Sequence, residues 1–296
     1  MLKSLEKPRP ASTVILTREH GGRLQVYLLR RSAKNVFLPG IYVSPGGSVG
    51  HQDSDSDFWQ YHVDLPLKEM VHRLGGDLEE RNILSFGVSA IRETFEEAGV
   101  FLCHRADGQL NLEKACRIRT SEGLPEDWLR EGVEKASWVL GFSLLARWSH
   151  WITPEAMPKR FDTRFFMVSM PSGQTCSPDE REMTHGVWLS PEEALAGNLR
   201  KEIPLSPPTL ITMNEMLVYW NVEELQNALR TRTWGEPILP RVFRLSHGAM
   251  ILMPWDPMYG EKLQIDETGL QNTILRMGES FSRIWLNEGV WRPVGI

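Results

Sequence analysis

Cysteine is scarce in this 296-residue chain, and long apolar runs are missing altogether. Cys103, Cys116 and Cys176 are too few and too scattered for a disulfide framework or a Cys-x-x-Cys zinc site. The longest nearly apolar run, Trp138 to Ala146, falls far short of the ~20 residues that a membrane helix needs. No apolar signal core follows the charged stretch from Met1 to Pro10. Basic charge is short too: 33 Lys and Arg against 38 Asp and Glu leave a net −5, which disfavours a general polyanion binder. The eight histidines show no His-Glu-x-x-His spacing, and no internal repeat is visible. These absences point to an intracellular, reduced protein with neither nucleic acid nor membrane as partner. The chain has 41% hydrophobic residues, enough for a real core, and its length allows one large domain or about two ordinary ones.

Short β-prone runs at Val14–Leu16 and Leu24–Leu29 flank His20-Gly21-Gly22-Arg23, the pattern of a hairpin. Ile41-Tyr42-Val43 runs into the turn Ser44-Pro45-Gly46-Gly47. Residues 51–82 are polar and irregular, with a short helix expected over Leu67–Leu74. Leu84, Val88, Ile91 and Phe95 then recur at helical spacing, with Ser85 as candidate N-cap and Gly99 as the left-handed stop. Val100-Phe101-Leu102 reads as a strand, and Leu112–Arg147 as a mainly helical stretch. Phe165–Met170 and Val187–Leu189 read as strands. Ser190-Pro191-Glu192-Glu193 starts a helix, and another is expected over Pro208–Asn221. Candidate strands lie near Arg241–Leu245 and Ala249–Met253. Mixed strands and helices imply an α/β or α+β fold.

Chemistry concentrates in Arg92-Glu93-Thr94-Phe95-Glu96-Glu97-Ala98-Gly99-Val100. Glu93, Glu96 and Glu97 stand at i, i+3 and i+4, so their carboxylates share one helix face. Crowding like charges costs a few tenths of a kcal/mol per pair. A hard divalent cation reverses that cost, because Mg²⁺ takes oxygen ligands and shares them with substrate phosphates. A solvated acidic face would have the same composition, and only the flanking residues separate the two.

The segment resembles the second half of the Nudix box, G-x5-E-x7-R-E-U-x-E-E-x-G-U with U apolar. Arg92-Glu93, Glu96-Glu97, Gly99 and Val100 match, and Pro45-Gly46-Gly47 matches the entry to the box. The first half departs from the pattern. Arg92 stands 45 residues after Gly47 rather than 14, leaving 31 extra residues. Backward counting puts Leu84 at the early glutamate position, forward counting from Gly47 puts Asp53 there, and Thr94 replaces an apolar residue. An insertion inside the box would explain all three. Such an interrupted box resembles the peroxisomal-type coenzyme A diphosphatases and their bacterial relatives. Further support comes from Leu28–Ala33, Phe37–Gly40, Asp53–Trp59, Trp151–Pro154, Arg160–Phe166 and Trp188–Leu195.

The resemblance implies an α/β Nudix sandwich (α/β/α) with a mixed sheet, an insertion within the Nudix box and a mostly helical C-terminal extension. Residues 1–200 would be the Nudix domain, with insertions at about 53–83 and 112–147, and residues 201–296 an extension packed on it. Glu96 and Glu97 would be core metal ligands, Glu93 a further ligand or supporting carboxylate, and Gly47 would present its carbonyl to Mg²⁺ or Mn²⁺. Arg92 would orient the glutamates. Arg30 and Arg31 end a strand, so one of them faces a pyrophosphate unless both are surface residues. Arg160, Asp162 and Arg164 alternate on one strand face, for substrate contact or for pairing among themselves. Glu182 is the candidate general base and Glu180 its rival. Trp220, Trp234, Trp255, Trp285 and Trp291 read as packing for the tail.

The implied reaction is metal-dependent cleavage of the diphosphate in coenzyme A or acyl-coenzyme A, giving 3′,5′-ADP and 4′-phosphopantetheine or its acyl form. ADP-ribose or NADH as substrate, or a degenerate Nudix-fold binding module, stay open as alternatives. Oligomeric state is also open, a homodimer included. Pro293-Val294-Gly295-Ile296 is not a peroxisomal tripeptide signal, so a cytoplasmic setting is expected.

Overall fold

Two strands, β1 (Arg9–His20) and β2 (Arg23–Arg31), form the expected antiparallel hairpin. Gly21 and Gly22 turn it with φ of 59° and 72°, the left-handed pair that matches the twist of the strands. The computed structural model describes residues 6–34, 38–105, 116, 117, 119, 124–262 and 265–295. Phe37, within the expected Phe37–Gly40 element, and residues 112–115, 118 and 120–123 of the expected helical stretch lie outside the described residues.

Five further strands complete a mixed sheet: β3 (Tyr42–Val43), β4 (Gly46–Ser48), β7 (Ala146–Ile152), β8 (Phe161–Ser169) and β9 (Met183–Leu189). Its main path runs β3-β2-β1-β8-β7, with β4 on β1 and β9 on β2. Only the β1–β8 pair is parallel among these pairings, and it spans Arg9–Thr17 against Phe161–Ser169. The small sheet of β5 (Cys103–Arg105) and β6 (Trp138–Leu140) lies apart.

Helices cover both faces. The long helix α3 (Glu80–Ala98) follows two one-turn helices, α1 (Ser56–Trp59) and α2 (Leu67–Met70). Leu84, Val88, Ile91 and Phe95 are buried as their spacing requires, in one core with Val14, Leu16, Leu29 and Phe166. On the other face, α5 (Pro191–Leu199) and α6 (Pro207–Met216) share a core with Ile15, Val26, Phe165 and Met167. Ser190 and Glu193 close a reciprocal capping box at the start of α5. No described helix is long and apolar enough to cross a membrane.

Four expectations need correction. Ser85 is not an N-cap: α3 starts at Glu80, and the Ser85 hydroxyl donates to the Arg81 carbonyl inside the helix. Val100–Leu102 forms no strand, because the Gln174 carboxamide bonds both the N–H and the C=O of Phe101 and takes a neighbouring strand's place. Of Leu112–Arg147, the helix α4 covers Trp128–Ala136, and Ser137 then turns left-handed into β6. The C-terminal extension is not mostly helical. After α6 and α7 (Val222–Leu229) come β10 (Arg241–Arg244), β11 (Ala249–Leu252), β12 (Arg283–Asn287) and β13 (Val290–Val294), an antiparallel meander. Glu288 and Gly289 make its last turn with φ of 51° and 86°.

This second sheet is apolar on both faces. Met250, Leu252 and Trp285 pack with Leu270 in a core of their own, while Ile251 and Ile284 join the core under α5 and α6. Trp234, between α7 and β10, donates its indole N–H to the carbonyls of Leu74 and Gly75 and so ties the tail to the box insertion. Trp220 and Trp255 are exposed rather than packed.

Candidate active site

The outer face of α3 meets the loop that carries β4. Register with β1 places Gly46 opposite Thr13 and Gly47 opposite Ser12. A Cβ on Gly47 would collide with the Glu93 carboxylate, so glycine there lets backbone and helix close together. The Gly46 N–H donates to Glu97 Oε2 at 2.8 Å. Glu97 is buried, Glu93 nearly so and Glu96 partly open.

Arg92 organises the cluster. Its Nε and one terminal nitrogen grip both oxygens of Asp53, each at 2.9 Å. The other terminal nitrogen donates to Glu93 at 2.8 Å and to Glu96 at 3.0 Å. The Ser48 carbonyl accepts a fifth bond at 3.0 Å. Asp53 is 2% exposed and takes a further bond from the Gly50 N–H at 2.6 Å. Asp53, reached by forward counting from Gly47, is thus the carboxylate that Arg92 grips with two bonds. Asp53 and Arg92, 39 residues apart, are brought together by the fold.

Electrostatics mark the cluster as under-compensated. Burial pushes the Glu93 carboxyl up to about 7; Arg92 opposes the rise and Glu96 adds to it. Burial also drives Glu97 well above the ordinary carboxylate range, helped by the charges of Glu93 and Glu182 and opposed by the Gly46 N–H and Arg31. Burial alone would lower the Arg92 pKa, but its Asp53 hydrogen bonds and the surrounding carboxylates raise it above the usual value. Neighbouring buried carboxylates of this kind fit a hard divalent cation, which would neutralise both. No three His, Cys, Asp or Glu side chains among the described residues form a ready metal cluster. The oxygen-only set would thus need a backbone carbonyl, water or substrate phosphate to complete it.

Gly47, Arg92, Glu93, Glu96, Glu97, Arg31 and Glu182 all line one cleft of about 1210 Å³. Arg30, separated from Arg31 by a register shift in the pairing with β9, does not line it. Arg160 and Arg164 are placed elsewhere than expected. Arg160 is buried and donates to the carbonyls of Thr153 and Glu6. Arg164 forms a two-pronged pair with Asp77 of the insertion, at 2.9 and 2.8 Å, beside Trp234. Asp162 pairs with His150 at 2.6 Å rather than with either arginine. Between the two candidate bases, Glu182 reaches the cleft and Glu180 does not.

Two contributors carried no sequence signal of their own. Trp128, on α4, donates its indole N–H to Glu96 Oε1 at 2.7 Å. Arg119 donates to the Glu96 backbone carbonyl at 2.9 Å and to Ser177. Both lie between α3 and β7, where composition is unremarkable and no spacing motif leads back to the carboxylates.

Comparison with known proteins agrees with this geometry. The chain is 25% identical over 295 residues to the Xenopus laevis protein named acyl-coenzyme A diphosphatase NUDT19, covering 88% of this chain and 77% of that one. It is 27% identical over 302 residues to the human protein of the same name, covering 88% and 80%. A crystal structure of a NUDIX hydrolase from Alicyclobacillus acidocaldarius superposes with a TM-score of 0.58 at 22% identity, over 78% of this chain and all of that one, and supports the fold. The family model described as the NUDT19 Nudix domain matches residues 8–216, well over half of the chain. With the box closed in space and that match spanning it, the chain belongs to the NUDT19 Nudix domain family and is a Nudix hydrolase.

Proposed function

We propose that the enzyme hydrolyses coenzyme A and acyl-coenzyme A at the diphosphate, releasing 3′,5′-ADP and 4′-phosphopantetheine or its acyl form. The observation that carries this reading is the Asp53–Arg92–Glu93/Glu96 clamp. Every charged element of the box keeps a partner despite the insertion, which favours a working site over a degenerate module. The relatives named acyl-coenzyme A diphosphatase supply the substrate class.

Glu93, Glu96 and Glu97, with the Gly47 carbonyl, would hold Mg²⁺ or Mn²⁺. When bound, the cation supplies charge neutralisation at the phosphoryl oxygens and acidifies water. Arg92 keeps the carboxylates aimed in one direction and restrains their mutual repulsion. Glu182 would accept the proton of the attacking water, and Arg31 would balance charge on the diphosphate; both line the same cleft. Residues 1–200 would be the catalytic domain and 201–296 its extension. A cytoplasmic setting belongs to the same proposal, supported by the scarcity of cysteine in the sequence.

The test is a panel of coenzyme A, decanoyl-coenzyme A, ADP-ribose and NADH, incubated with Mg²⁺ and resolved by chromatography. Appearance of 3′,5′-ADP from the coenzyme A species is expected. Cleavage of ADP-ribose or NADH alone overturns the substrate. Glu97→Gln should stay folded and lose nearly all turnover, and surviving turnover would refute its assignment.

A further inference from the structure

The cleft does not end at the carboxylates. It crosses the face of β1 and β8 and continues beneath the C-terminal sheet, where Val242, Ala249, Ile251, Leu286 and Trp291 form one wall. Register explains why these side chains share a face: Val242 pairs with Ile251, Ala249 with Leu286, and Leu286 with Trp291. Ile152, Phe161 and Phe165 form the facing wall, and Pro207 and Pro208 at the start of α6 close one side.

Charge divides the cleft into two halves. Its lining arginines come from the end of β2 (Arg31), α3 (Arg92), the segment before α4 (Arg119), α4 (Arg130) and the segment before β9 (Arg181), and none comes from β7, β8 or the C-terminal sheet. The far half has Lys159, which is exposed, and otherwise aliphatic, aromatic, proline, threonine and serine side chains. A phosphoadenosine arm, carrying a phosphate besides the diphosphate, needs the cationic half. An aliphatic wall of this extent suits a ligand that brings methylenes to it.

Resting on the reading that coenzyme A thioesters are the substrates, we propose that the far half is an acyl-chain channel built by the C-terminal sheet. The diphosphate sits at Glu93 and Glu97, the pantetheine arm crosses the face of β1 and β8, and the acyl chain lies against Val242, Ala249, Ile251 and Leu286. The extension thereby selects acyl-coenzyme A of medium or long chain over the free thiol. Ala249 is the position to probe, because its small side chain leaves room that a larger one would fill.

The experiment compares kcat/KM for free, acetyl- and decanoyl-coenzyme A in the wild-type protein and in Ala249→Trp. Each buried methylene is worth up to roughly fourfold in affinity, so the wild-type decanoyl-to-free ratio should exceed about tenfold. Ala249→Trp should lower that ratio by about tenfold. Ala249→Leu, which adds less volume, should lower it in the same direction and serves if the tryptophan variant fails to fold. A wild-type ratio near unity, or a ratio unchanged in the variants, overturns the channel. Calorimetry with decanoyl-pantetheine, which has no diphosphate, separates the two proposals. If no coenzyme A species is cleaved, the substrate reading fails, yet binding that the variants weaken upholds the channel. Lack of binding to the wild-type protein overturns it.

Discussion

Arg92→Lys keeps the positive charge of the clamp and removes only its fork. The wild-type guanidinium makes five bonds to Asp53, Glu93, Glu96 and Ser48. A lysine ammonium offers three donors from one point, so at least two acceptors are abandoned. Hydrogen bonds to charged groups are worth about 1.5–3 kcal/mol each, giving about 3–6 kcal/mol before relaxation. Glu96 is 32% exposed and water replaces its lost bond, whereas Asp53 at 2% has no such recourse. The expected cost is therefore that of one buried charged bond with its desolvated partner, about 2–4 kcal/mol. Urea unfolding of both proteins in EDTA measures it without any contribution from metal. Turnover with Mg²⁺ should fall about a hundredfold, since the carboxylates lose their common anchor. Stability within about 0.5 kcal/mol of wild type would refute the clamp, because a change of that size is typical of an unimportant surface position.

Metal-free protein should lose stability as pH rises from about 5 to 8. Glu93 and Glu97 have folded pKa values above their unfolded ones, so their contribution is present below the ordinary carboxylate range and lost as pH climbs through the folded values. Unfolding in EDTA at both pH values checks the sign, and a steeper or equal slope in a Glu93→Gln, Glu97→Gln double variant would contradict it. Asp77→Asn should destabilise the fold by about 1–2 kcal/mol, because buried Arg164 loses its counter-charge while water screens the exposed Asp77 end of the pair, and KM should stay unchanged. A raised KM with intact stability would return Arg164 to the substrate site. Trp128→Phe should keep the aromatic packing against Phe95 and Phe101 but lower kcat about three- to tenfold, as Glu96 loses a neutral donor worth about 1 kcal/mol.

Spacing made the carboxylate helix legible, since i, i+3, i+4 fixes a shared face whatever surrounds it. Counting from Gly47 found Asp53, but no count could show that a 31-residue excess folds back to hold it against Arg92. Alternation allowed only one of Arg30 and Arg31 to face the cleft, and it is Arg31 that lines it. It misled for Arg160 and Arg164, because periodicity tells which residues share a face and is silent about what lies opposite. Trp128 reaches Glu96 across 32 residues with no motif between them. The C-terminal sheet was half visible: β10 and β11 follow each other closely and read as strands, whereas β12 meets β11 only after the stretch 253–282 and β13 carries Arg292 and Pro293.

The indole of Trp234 has a temporal meaning as well as a spatial one. Synthesis delivers the whole box within the first hundred residues, and local helices form on the ribosome in its wake. The insertion between Asp53 and α3, however, leaves the carbonyls of Leu74 and Gly75 waiting for a donor that is translated about 160 residues later. A nascent chain therefore carries the insertion long before the indole that fastens it is made. The tie between insertion and tail is one that local sequence cannot make early: it closes only once Trp234 has been translated.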